Sequence, residues 1–221
     1  MVEIDLGIPR TRDTTIAAPS DPRITEMEAG SIGEAVGGAA ALVLAILALI
    51  GLLPLTLASI AAIAVGCGML VGGAALARRF SLGLPSVVAS RARQEVVGAL
   101  GMQAIAGIAA VVLGILALLG VRPLLLLSIS VLVLGGALLT VGAGMARLAR
   151  SARWLRGEAG SVAPATGWWE AEIGVAAVVL GILALTGHDP ATLTIVALLA
   201  VGAALLIGGS MLTARLFGAL G

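Results

Sequence analysis

The sequence predicts an all-α integral membrane protein whose six transmembrane helices form three repeated helical hairpins. Three observations carry this reading. The segment AAVVLGILAL occurs at 109–118 and again at 176–185, with a degenerate copy, AALVLAILAL, at 40–49. Each copy leads at a fixed distance to a glycine (Gly51, Gly120, Gly187) and then to a proline (Pro54, Pro123, Pro190), after which a second apolar run begins. A period this long marks a repeat architecture. Second, 60% of the residues are hydrophobic and 11% charged, and mean hydropathy is +1.15, whereas soluble domains carry about a quarter charged residues. Third, the charges avoid the apolar runs: Cys67 is the one ionisable side chain between Glu34 and Arg78, and Arg122 the one between Glu95 and Arg147. Only His188 and Asp189 stand between Glu172 and Arg215.

Taken in order, residues 1–30 form a polar N-terminal tail with Pro9, Pro19 and Pro22 and mixed charge. They do not read as a cleavable signal peptide, so the first span serves as its own insertion signal. Asp21 followed by Pro22 is a good cap and first-turn pair, and a helix can begin there. The membrane domain covers 31–221, with hairpins at about 31–80, 92–150 and 168–217. Each apolar run is about twice the ~20 residues needed to cross ~30 Å of hydrocarbon. Splitting each at its Gly–Pro turn gives spans at 31–52, 55–77, 95–119, 124–146, 169–187 and 191–214. The prolines fit the first turns of the even spans, where a missing N–H costs nothing. The runs lack the polar–apolar alternation of a membrane β-barrel.

All 13 cationic residues are arginine, and 12 fall on one side of this topology: Arg10, Arg12, Arg23, Arg78, Arg79, Arg91, Arg93, Arg147, Arg150, Arg153, Arg156 and Arg215. Arg122 alone lies at a hairpin tip. The positive-inside rule then places both termini and the longer loops in the cytoplasm. Phe80, Trp154, Trp168, Trp169 and Phe217, the five aromatic residues, sit at the same ends. The net charge of +1 excludes a nucleic-acid footprint.

Aligning the hairpins on their turn glycines superposes Gly38, Gly107 and Gly174 in the odd helices. In the even helices it superposes Gly66, Gly135 and Gly202, and two helical turns later Gly73, Gly142 and Gly209. Positions two turns apart share a side of the helix, so each pair marks one face. In lipid, helices associate through close packing on small residues, so the stripes are expected to seat each hairpin against its neighbours. A pore wall opened by glycines is the alternative reading.

One polar column emerges from the same alignment: Glu34, Gln103 and Glu170, near the cytoplasmic starts of the odd helices. From Glu34 to the outer turn at Gly51 the helix covers about 25 Å, at ~1.5 Å per residue. A carboxylate in the first turns is stabilised by the helix dipole and can stay hydrated. The column otherwise reads as packing against the Arg loops, or as a threefold ring for an ion or lipid headgroup. Arg147, Arg150, Arg153 and Arg156, at every third position, would extend the fourth helix past the membrane. They either set topology or bind anionic headgroups at about 1 kcal/mol per Arg.

Catalytic constellations are missing from the sequence. His188 stands alone as a histidine and reads as a polar tip residue, so neither a metal cluster nor a Ser–His pair is expected. Cys67, between Gly66 and Gly68, reads as a small packing residue. No catalytic, cofactor-binding or metal-binding residue is expected, and no cofactor. An ionisable group at mid-span, the usual mark of a proton-coupled pathway, is also lacking.

The pattern Gly-Ile-Leu-Ala-Leu, a short turn with Pro, then an apolar run with Gly-x6-Gly ending in Arg resembles the short-repeat membrane proteins of the HdeD type. Thr166-Gly167-Trp168-Trp169, at the entry to the third hairpin, is similar to that family as well. The resemblance covers about 31–217 and implies a bacterial inner-membrane protein with cytoplasmic termini, a link to acid stress and no established biochemical activity. Two features depart from the family pattern: the polar tail over 1–30, and the near absence of aromatics in the first two hairpins. The expected function is therefore non-enzymatic, structural or stress-associated. Its partners are the lipid bilayer, further copies or another membrane protein, and anionic lipid. The alternatives are a small passive channel, which would have to run along the second repeat past Ser128, Ser130 and Thr140, or a membrane anchor for a peripheral enzyme docked on the tail and Arg loops.

Overall fold

The structure, a computed structural model, describes the backbone of residues 22–83, 90–156 and 168–218, and the side chains of 32–75, 98–147 and 169–210. The expectations for the side chains of Arg150, Arg153, Arg156, Trp154 and Trp168, and for the tail before residue 22, lie outside the described residues. Six helices are described: α1 (Pro22–Leu49), α2 (Pro54–Gly83), α3 (Ser90–Leu118), α4 (Pro123–Arg156), α5 (Trp168–Leu185) and α6 (Pro190–Gly218). Five of them are long and apolar enough to cross a membrane: α1, α2, α3, α4 and α6. With 18 residues, α5 is the shortest. The helix α1 starts at Pro22, inside the stretch read as tail, and α4 continues to Arg156.

Three turns of one geometry join α1 to α2, α3 to α4 and α5 to α6. Gly51, Gly120 and Gly187 have φ of 93°, 84° and 91°. Their amides bond the carbonyls of Ala48, Ala117 and Ala184, and the next amides (Leu52, Val121, His188) reach back to Leu47, Leu116 and Leu183. That pair of bonds is the Schellman helix stop, which needs a left-handed residue after the last helical one. Glycine takes that conformation without the ~1–2 kcal/mol that a Cβ would cost. The residue before each proline is also left-handed: Leu53 (φ 40°), Arg122 (41°) and Asp189 (37°). Its carbonyl accepts the first bond of the next helix, from Leu57, Leu126 and Leu193.

The packing has α2, α4 and α6 touching one another at the centre. Each odd helix lies against two of them: α1 on α2 and α6, α3 on α2 and α4, α5 on α4 and α6. The core is built from Val65 and Met69 of α2, Val131 and Leu134 of α4, and Leu198, Val201 and Leu205 of α6, all essentially buried. Outward, Val43, Ile105, Val112, Val179 and Ile182 of the odd helices are exposed. This distribution, apolar inside and apolar outside, is what a bundle solvated by acyl chains requires.

Glycine pairs form the seams between successive helices. A Cβ built on Gly107 would fall 2.5 Å from the Gly66 carbonyl oxygen and 2.7 Å from the Leu70 amide. One on Gly174 would lie 2.7 Å from the Gly135 carbonyl, and one on Gly38 2.6 Å from the Gly202 carbonyl. A glycine from the first column therefore faces one from the second across α2–α3, α4–α5 and α6–α1. Lower on the same faces, a Cβ on Gly73 would meet the Leu100 carbonyl at 2.9 Å, while Gly142 and Gly209 are buried. Backbones this close maximise dispersion and leave no room for a side chain.

Cys67 corrects the expectation of a packing residue. It is exposed on α2, because Gly66 and Gly68 on either side turn inward to meet neighbouring backbones, and the face between them points away from the core.

Candidate functional site

The polar column lies at the end of the bundle opposite the three turns. Glu34, Gln103 and Glu170 each stand at the same distance before their turn glycine, one on each odd helix. These helices do not pack on one another, yet the side chains of Glu34 and Gln103 meet. Gln103 Nε2 donates to Glu34 Oε1 at 3.0 Å.

Glycines on the even helices make this convergence feasible. A Cβ on Gly72 would lie 2.8 Å from Glu34 Oε2, and one on Gly73 3.3 Å from the Gln103 Cβ. With no side chain at two consecutive positions of α2, groups from α1 and α3 can join across it. On α6, a Cβ on Gly208 would lie 3.4 Å from Glu170 Oε1 and 3.9 Å from the Trp169 indole. Gly72, Val141 and Gly208 occupy one register position, equally far along the chain from Glu34, Gln103 and Glu170 respectively. Glycine stands in register with each carboxylate, and valine with the carboxamide.

The column is more enclosed than hydrated first-turn carboxylates would be. Gln103 is 2% exposed and Glu34 and Glu170 are half-buried. The Gln103 carbonyl oxygen, Oε1, is buried and accepts no hydrogen bond among the described residues. With Nε2 committed to the Glu34 carboxylate, Oε1 is left to a different partner. Buried amide oxygens are normally paired, and an exception asks for an explanation.

A second polar layer lies toward the turn end, within α2, α4 and α6. Ser128 Oγ donates to the Leu124 carbonyl at 2.8 Å and shares a 3.2 Å hydrogen bond with Thr194 Oγ1. Ser59 Oγ donates to the Leu55 carbonyl, and Ser130 Oγ is buried with no partner among the described residues. Thr140 is exposed instead, its hydroxyl turned back onto the Ala137 carbonyl. Ser128, Ser130 and Thr140 therefore do not line one path along the second hairpin.

Arg147 is exposed at the same end of α4 as the column. At the opposite end, His188 Nδ1 is 3.2 Å from Thr186 Oγ1 at an exposed tip. Among the described residues, no group of three or more His, Cys, Asp or Glu side chains converges. No protein-family profile, curated protein sequence or solved structure matches the chain.

Proposed function

We propose that this protein is a non-enzymatic structural component of a bacterial cytoplasmic membrane, built from three copies of one hairpin closed into a ring. Its termini and Arg-rich loops face the cytoplasm. The observation that supports this reading best is the set of glycine seams, in which backbones meet at Gly66–Gly107, Gly135–Gly174 and Gly202–Gly38. Seams of this kind favour a rigid bundle over one that opens and closes. The axis between the two polar layers is filled by Val65, Met69, Val131, Leu134, Leu198 and Val201, which are fully or almost fully buried. A conducting path would have to displace these side chains. The likeness of the repeats to HdeD-type proteins supports placing it among stress-associated membrane components, which assemble with further copies or with another membrane protein.

Reconstitution into liposomes of neutral lipid tests the structural reading against the passive-channel alternative. Stopped-flow light scattering with glycerol or urea is expected to give the same shrinking and reswelling rates as protein-free liposomes. Faster permeation that scales with protein content overturns it. Crosslinking of the intact membranes, read by mass, is expected to give a ladder of copies or a defined hetero-complex.

A further inference from the structure

We propose that the third hairpin thins the bilayer along one flank of the bundle, making α5 a binding surface for phospholipids of short acyl chain. The odd helices form the outer wall, and their exposed large apolar side chains mark how much hydrocarbon each one faces. On α1 these run from Ile32 to Ile50 and on α3 from Met102 to Leu119, about 27 and 26 Å at ~1.5 Å per residue. Both lengths approach the ~30 Å of a hydrocarbon core. On α5 they run only from Val175 to Leu185, about 15 Å. The shortfall comes from replacements in register. Val36 on α1 and Ile105 on α3 are exposed, and the matching residue of α5, also exposed, is Glu172. At the turns, exposed Ile50 and Leu119 are matched by Thr186, and Leu52 and Val121 by His188. Both polar residues are exposed as well.

Midway along the helices the three outer faces are alike. Val43, Val112 and Val179 share one register, Ile46, Ile115 and Ile182 another, and all six are exposed. That likeness argues that α5 faces the same solvent as α1 and α3, namely acyl chains. Its apolar belt is closed by polar groups at both ends, and this limits how the membrane can respond. Tilting the bundle shifts the belt along the membrane normal without lengthening it, so one polar end is buried as the other is freed. Drawing Glu172 in among acyl chains is costly, and a bilayer meets a short apolar stretch by thinning locally. Short-chain lipids need no compression there, so they are favoured beside α5. The inference does not depend on whether the bundle is a scaffold or a channel.

The test uses the full chain with Trp154, Trp168 and Trp169 replaced by phenylalanine and a single probe introduced as Val43→Trp, Val112→Trp or Val179→Trp, three exposed positions in one register. Each protein is reconstituted in dioleoylphosphatidylcholine. Quenching by brominated dimyristoleoyl- or dierucoylphosphatidylcholine then gives the relative binding of short and long chains beside each helix. At Val179→Trp the short-chain lipid is expected to bind at least about twofold better than the long-chain one, as a local mismatch demands. At Val43→Trp and Val112→Trp that preference is expected to be absent or reversed. Adding Glu172→Val, Thr186→Ile and His188→Leu, which place the first hairpin's residues at those positions, is expected to remove the preference at Val179→Trp. Equal selectivity at the three probes overturns the proposal, and this comparison needs none of the polar replacements. A preference at Val179→Trp that survives those replacements, in protein of unchanged helicity, also overturns it. So does quenching at Val43→Trp and Val112→Trp but by neither lipid at Val179→Trp, because a second copy or another protein then covers α5.

Discussion

Replacing Gly107 by alanine adds one methyl group at a seam where, as at Gly38, a Cβ would meet backbone at 2.5 Å. That methyl would lie 2.5 Å from the Gly66 carbonyl oxygen and 2.7 Å from the Leu70 amide nitrogen, against 3.4 Å or more in ordinary contact. Both obstacles are backbone, so no rotamer change can relieve them, and α2 and α3 must separate. Overpacking of this kind costs up to about 3 kcal/mol. Alanine's higher helix propensity returns about 1 kcal/mol, leaving a net loss of about 2 kcal/mol. Gly101 on the same helix has nothing within 4 Å of a built Cβ, so Gly101→Ala keeps the propensity gain alone and is expected to stabilise by up to ~1 kcal/mol. Titrating mixed micelles with a denaturing detergent, and following helicity by circular dichroism, gives both values on one scale. The reasoning is refuted if the two variants agree within about 0.5 kcal/mol, the usual scatter of independent sites.

Three further outcomes follow from the fold. Gly187→Ala, at φ 91°, is expected to lose about 1–2 kcal/mol from left-handed strain, whereas Leu53→Gly, at φ 40°, is expected to be neutral or stabilising; the same unfolding titration reads both. Reporter fusions after Arg79, Arg156 and Gly221 are expected to score cytoplasmic and a tag at His188 external, and reversal at two of these sites overturns the topology. Ser128→Ala removes the hydroxyl shared with Thr194 and is expected to cost about 0.6 kcal/mol, typical of hydrogen bonds between helices in membranes. Adding Thr194→Val should then cost little more than its own side-chain change, as a double-mutant cycle on the same titration would show.

Much of this architecture was legible because membrane helices leave few ways to satisfy a backbone. Gly51 and Pro54, with their counterparts, marked the turns because only certain residues stop and restart a helix cheaply. The left-handed Leu53 and Arg122 were not legible: neither residue type signals that conformation, and the turn imposes it from both sides. The glycine columns stood out through the alignment. Which column faced which did not, since Gly66 meets Gly107 across a hairpin boundary, and that contact belongs to the tertiary arrangement. The polar column was visible by register. The Gln103–Glu34 bond and the seating of each glutamate on a glycine were not, although Gly72 and Gly208, each at the same remove from a glutamate, carried the signal. Cys67 was misplaced because small size was read as burial, and its neighbours Gly66 and Gly68 hold the inward faces.

The seam between Gly38 and Gly202 joins the first helix to the last, and this orders the birth of the molecule. Each hairpin carries its own turn and can enter the bilayer as it is synthesised, but the circle stays open until α6 has been made. Until then α1 shows an uncovered Gly38 edge and the most recent even helix shows the matching edge, two halves of one lock. A chain cut short after α4 would keep two edges uncovered on opposite flanks, Gly38 on α1, which meets Gly202 in the full chain, and Gly135 on α4, which meets Gly174. Such a fragment is built to find the missing partner in another fragment, so truncation should convert a ring closed within one chain into head-to-tail chains.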